Sequence, residues 1–171
     1  DGTLLREDLT LFDLLSVQIK AQEKRIAAAN AGDAATRRVQ SIPGFGPILA
    51  ALIATEIDEV TRFGDAEHLC AYAGLVPVTR ASGGHTRHGP LLGAANRWLR
   101  WAFIEGAWVA IGCSAYFGAF YRRQRERGKP ANTAITIVAR RMCRIVFQLL
   151  KEQRDYTAQP KTLSPAAPFT D

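Results

Sequence analysis

The chain is poor in cysteine, and the cysteines it has form no pattern. Cys70, Cys113 and Cys143 are an odd three in apolar stretches without CxxC spacing, which argues for reduced thiols in a cytoplasmic chain and offers no metal framework. No uncharged run reaches the roughly 20 apolar residues of a spanning helix. The longest, residues 106–121, contains three glycines and reads as buried, so no membrane is expected as a partner. Nor does an apolar block open the chain, as export would require: Arg6, Glu7 and Asp8 stand there instead. An initiating Met is also missing from what reads as mid-helix, as expected of a piece of a longer protein. Alternating strand patterns of useful length are absent, which leaves all-α as the fold class.

Acidic residues are scarce in one long stretch. Residues 80–144 hold twelve Arg or Lys against two acids, Glu105 and Glu126, although the whole chain is only at +6. Eleven of the twelve are Arg, whose planar five-donor fork suits phosphate better than a compact ammonium does. This asymmetry points to a polyanion such as nucleic acid, with a merely solvated basic face as the plainer reading.

What is present is mostly helical punctuation. The 171 residues, 47% hydrophobic and 22% charged, suit an ordinary soluble domain with an appended element, or two small domains. Three parts are expected: a long helix in residues 1–31, a helical domain over 32–156 and a disordered tail over 157–171. In the first, Leu5, Phe12, Ile19 and Ile26 recur every seven residues and Leu15 fits the complementary position, while Asp8 and Gln22 do not. A helix that docks on a neighbour or pairs as a short coiled coil follows. Short helices over about 33–41 and 65–73 are expected, each opened by an Asp cap. Between 42 and 47, IPGFGP breaks the chain, and an apolar, buried helix follows from Pro47 to Ile57. Further helices are expected over about 91–113 and 114–127. A last helix carries the stripe Ile135, Val138, Ala139, Met142, Ile145, Val146 and Leu149.

Three features can carry chemistry. In SIPGFGPI, Gly44 and Gly46 allow a tight turn whose amides, with the dipole of the next helix, make a seat for phosphate. Arg37 and Arg38 add charge beside it. The pattern resembles a helix-hairpin-helix motif; its plainer reading is a turn whose glycines only permit close packing. The stretch VTRASGGHTRHGP, residues 78–90, reads as a loop with no carboxylate at all. In it Ser82 is a candidate nucleophile, His85 and His88 candidate bases, and Arg80 and Arg87 candidate phosphate clamps together with Arg97 and Arg100. Ser-Gly-Gly is also ordinary loop material, and a His85/His88 metal pair lacks a third ligand nearby. In NRWLRW, residues 96–101, Asn96, Arg97 and Arg100 are expected on one helix face, with Trp98 and Trp101 turned partly toward the core.

Taken in order, IPGFGPILAALIATEI, FGDAEHLCAYAGLVP, SGGHTRHGP and NRWLRWAFIEGAW resemble the C-terminal transposase domain of the insertion-sequence-110 family, over roughly residues 40–150. The resemblance implies a bacterial DNA recombinase in which Ser82 forms a transient phosphoserine link, with Arg87, Arg97 and Arg100 facing phosphate. It also implies that no cofactor belongs to this chain, and that Mg is held by an acidic RNase H-like domain missing here. A structured bridge RNA would choose the DNA targets, and a coiled coil ending near residue 26 would make a homo-oligomer. Gly93, Ala94 and Ala95 depart from the family's usual basic residue and glycine ahead of the Asn-Arg pair. This chain alone is expected to be inactive. The competing reading is a non-catalytic helix-hairpin-helix binding or dimerisation module.

Overall fold

The structure, a computed structural model, describes residues 2–82, 85–91 and 95–157, with the backbone alone for 77–82 and 85–91. The expected tail beyond residue 157 lies outside the described residues. Seven helices follow one another along the described residues: α1 (Gly2–Asn30), α2 (Ala34–Gln40), α3 (Pro47–Ile57), α4 (Ala66–Tyr72), α5 (Arg97–Cys113), α6 (Ala115–Glu126) and α7 (Ala131–Glu152). The fold is all-α in class, as expected, with one addition. Residues 78–90, read above as a loop, contribute to an antiparallel hairpin of β1 (Pro77–Ser82) and β2 (His85–Leu91).

The helix starts are set by their caps. Asp33 accepts the N–H groups of Ala35 and Thr36 at the head of α2, and Asp65 accepts that of His68 at the head of α4. Asn96 does the same for α5, taking the N–H groups of Trp98 and Leu99 on its Oδ1 at 3.0 Å each. That cap corrects the expectation of a helix from about Leu91, which belongs to β2.

α5 and α7 form the spine of the core. On α5, Leu99, Ala102, Phe103, Gly106, Ala107 and Ala110 are buried at the spacing of one helix face. The expected stripe on α7 is buried except for Ile145, which is half-buried against the same core. Truncating a fully buried side chain such as Phe103 to Ala costs about 3–5 kcal/mol in cores of this kind. Where α5 meets α6 the axes turn by 104°, and Gly118 of α6 lies against the Ile111 carbonyl of α5. No single helix among the described residues is long and apolar enough to cross a membrane. Cys70 and Cys143 are buried where α4 packs on α7, Cys113 is exposed, and no disulfide joins them. Burial pushes the Cys143 thiol well above its ordinary range.

α1 differs from the other long helices: it touches α3 but buries none of its residues. Leu5 (61% exposed), Phe12 (67%) and Ile19 (58%) of the heptad series face solvent.

Candidate nucleic-acid interface

The turn between α2 and α3 is built by two glycines with different jobs. Gly44 sits at φ +100°, and a Cβ there would meet the Ala110 Cβ at 2.8 Å and its backbone nitrogen at 2.9 Å. It is a packing glycine, pressed on the α5 backbone. Beside it Phe45 is buried, its ring against Phe103 at 5.7 Å, in a notch that exists because position 106 has no side chain. Gly46, by contrast, is exposed, and a Cβ placed there would meet nothing within 4 Å. It precedes Pro47 at the head of α3, and no side chain caps that helix. Helix-start amides without a cap, at the positive end of the dipole, suit an anion.

Arg37, Arg38 and Ser41 line a surface depression of about 480 Å³ with Ala34, Gln153, Arg154 and Asp155. The chain after α7 returns here: the Tyr156 N–H donates to Ser41 Oγ at 2.8 Å.

In the β-hairpin the register pairs Ser82 with His85, Arg80 with Arg87 and Thr79 with His88, with an irregularity between Pro77 and Thr79. The candidates named from the sequence are therefore neighbours along a backbone ladder and not scattered on a loop. Their side chains lie outside what the structure describes. The sequence signal for this hairpin is Gly83-Gly84 between two short runs, the spacing of a two-residue connection.

The helices that flank the hairpin are tied together. The Asn96 N–H donates to the Tyr72 carbonyl at 2.9 Å, and the Asn96 Nδ2 donates to Glu56 Oε2 at 2.6 Å and to the Tyr72 hydroxyl at 3.4 Å. Hydrogen bonds from Asn96 and then Arg62 hold the Tyr72 phenol below its ordinary range. Asn96 is thus the joint between α3, α4 and α5. The neighbouring arginines separate in role. Arg97 is exposed, whereas the Arg100 guanidinium lies over the α-carbon of Gly74, beside Ala95. Trp98 and Trp101, expected to turn partly toward the core, are 63% and 47% exposed, more open than that expectation. Leu99, Ala102 and Phe103 fill that face of α5, leaving the indoles outside.

Some of the basic stretch is spoken for within the fold. Arg140 and Arg144 of α7 both pair with Glu67 of α4, Arg144 at 2.6 Å, and Arg141 donates to the Tyr116 hydroxyl at 3.1 Å. Burial works to raise the Glu67 carboxyl, but the hydrogen bonds from Arg144 and Arg140 outweigh it and hold the group below its ordinary value. Charge counting along the sequence misses this, because Glu67 lies outside the basic stretch. No three His, Cys, Asp or Glu side chains gather as metal ligands among the described residues.

Residues 36–122, half of the chain, match the family model described as Transposase IS116/IS110/IS902 family. The chain belongs to that family. Its matched span runs from α2 through the turn, the β-hairpin and α5 into α6. Among its relatives are a "Probable family 20 transposase" of Pseudomonas aeruginosa, 30% identical over 158 residues, covering 91% of this chain and 47% of that protein. An "Insertion element IS110 uncharacterized 43.6 kDa protein" of Streptomyces coelicolor is 32% identical over 144 residues, 83% of this chain and 35% of that one. A "Pilin gene-inverting protein" of Moraxella bovis is 27% identical over 118 residues, 68% and 37% respectively. The chain therefore spans about half, or less, of the length of these relatives.

Proposed function

We propose that this family member supplies the DNA-binding and serine-nucleophile part of a transposase. The Ser82 oxygen attacks a DNA phosphodiester, forming an O–P bond as the bond from phosphorus to the 3′ oxygen breaks. The hydroxyl proton passes to a base, for which His85, the register partner of Ser82, is the candidate, and the departing strand takes up a proton as a 3′-OH. Return of an exchanged 3′-OH reverses the steps and frees the serine. The hairpin register is the observation that carries this reading. It sets Arg80 opposite Arg87, a like-charge pair that weakens an isolated hairpin and that a bound phosphodiester offsets. Arg97 and Arg100, at the head of α5, add positive charge where the hairpin joins the core.

The uncapped head of α3 beside Gly46 suits the backbone-seeking contact of a helix-hairpin-helix, which grips phosphate without reading bases. The choice of target then falls to a structured guide RNA in the complete protein, as the family resemblance implies. The unburied heptad face of α1 supports pairing with a second copy. No step here runs through a metal, which the resemblance assigns to a different domain.

Ser82→Ala in the complete transposase tests the reading. Strand exchange and a covalent protein–DNA adduct, followed on denaturing gels, are expected to fall by at least about a thousandfold, with DNA affinity nearly unchanged. Exchange that survives the substitution removes Ser82 from the chemistry. The rival reading, a binding module without catalysis, is favoured by the open amides at Gly46, and it predicts that Ser82→Ala alters nothing.

A further inference from the structure

Three indoles are exposed on α5; Trp108, at 42%, packs on Tyr121 of α6 with ring centroids 6.2 Å apart, while the other two stand together nearer the head of the helix. Trp98 is 63% exposed and Trp101, one turn on, 47%, and together with Arg97 they line a surface groove of about 380 Å³. Trp carries more apolar area than any other side chain, and leaving two of them side by side uncovered forfeits a favourable burial that the fold had within reach. The core has no call on them, since Leu99, Ala102 and Phe103 complete the buried face. Positions 98 and 101 are i, i+3 neighbours, so both side chains belong to one patch of helix surface.

We infer that Arg97, Trp98 and Trp101 form a stacking platform for the unpaired bases of single-stranded DNA. This rests on the DNA-binding reading above and adds a second, chemically distinct contact to it. A nucleotide presents a flat uncharged π-face next to an anionic phosphodiester, and the groove presents indole faces next to a guanidinium, with no acid among its lining residues. Bases within a duplex are already stacked on each other and leave no face open, so the occupant is an unpaired strand. Such a strand arises when a phosphodiester is cut. In chain order the groove opens the helix that follows β2, where Arg97 is the first residue of α5.

The test uses the 171-residue chain, with oligothymidylate, the matching duplex and oligouridylate as labelled probes in anisotropy titrations at fixed salt. Trp98→Ala and Trp101→Ala are each expected to weaken oligothymidylate binding by about tenfold, to leave duplex binding unchanged, and to remove the indole fluorescence quenching the strand produces. Trp98→Phe, which keeps a π-face, restores most of the loss. Unchanged oligothymidylate affinity in both alanine variants, with the parent chain binding, overturns the platform and leaves the DNA-binding reading standing. A loss confined to oligouridylate overturns the assignment to DNA. A change in oligomeric mass without a change in strand affinity overturns it in favour of a protein contact. Failure of the parent chain to bind any probe overturns the platform and the DNA-binding reading together.

Discussion

Gly44 and Gly46 are two residues apart in one turn and call for opposite experimental results. At φ +100° against the α5 backbone, Gly44 holds a conformation that L side chains resist and leaves no room for a methyl group. Gly44→Ala is expected to cost about 1–3 kcal/mol, a fall of several degrees in Tm for a chain of this size. Gly46 has extended backbone that any residue adopts, φ −73° and ψ 174°, and open space around it. Gly46→Ala should leave the melting curve within about 0.5 kcal/mol of the parent; a loss of stability as large as that of Gly44→Ala, read by differential scanning calorimetry, contradicts the division of roles. Sequence alone does not tell them apart. Both read as turn glycines in PGFGP, and only the packing partner, Gly106 with its neighbouring Ala110 on a helix about sixty residues away, separates them.

Elements are legible in the sequence where local chemistry decides them. Asp33 and Asp65 announce α2 and α4, Pro47 announces α3, and the stripe on α7 is buried almost residue for residue as its periodicity requires. Sequence and structure part where distant groups decide. Asn96 caps α5 and also bonds Glu56 and Tyr72 on other helices, partners that no local pattern announces. Trp98 reads as turning toward a core that smaller residues in fact fill. The same non-local logic governs α4 against α7, where one acid, Glu67, holds Arg140 and Arg144. Its carboxyl titrates lower in the folded chain than the ordinary 4.5, so its stabilisation is complete above that pH and is lost as pH falls below it through the lowered value. Glu67→Gln is therefore expected to cost less than about 1 kcal/mol near pH 7, and to bring the variant and parent unfolding midpoints closer together at an acid pH below the ordinary 4.5. Equal midpoints at both pH values speak against the pairing; urea titrations at the two pH values decide it.

Across the molecule, charge and apolar surface point outward in different places. Arg140, Arg141 and Arg144 are engaged within the helical body, so the basic surplus open to a partner is smaller than a count along the chain suggests. Arg97 and the exposed Arg37 are among the described arginines that face solvent. The apolar surface lies chiefly along α1, whose Leu5, Phe12, Leu15 and Ile19 are all about half exposed or more. Pairing with a second copy, proposed above, would cover this face. Phe12→Asp is expected to shift the chain to a smaller mass in light scattering coupled to gel filtration, with helical content and Tm of the remaining helices kept. An unchanged mass rules out this face as the assembly surface.

The bond between the Asn96 N–H and the Tyr72 carbonyl has one more consequence. It closes the neck of an excursion that leaves the helical body after α4 and rejoins it at α5, with β1 and β2 between its two ends. Under the reading proposed above, substitutions in the arm that carries Ser82 alter which strand it accepts at little cost to the body that holds it up.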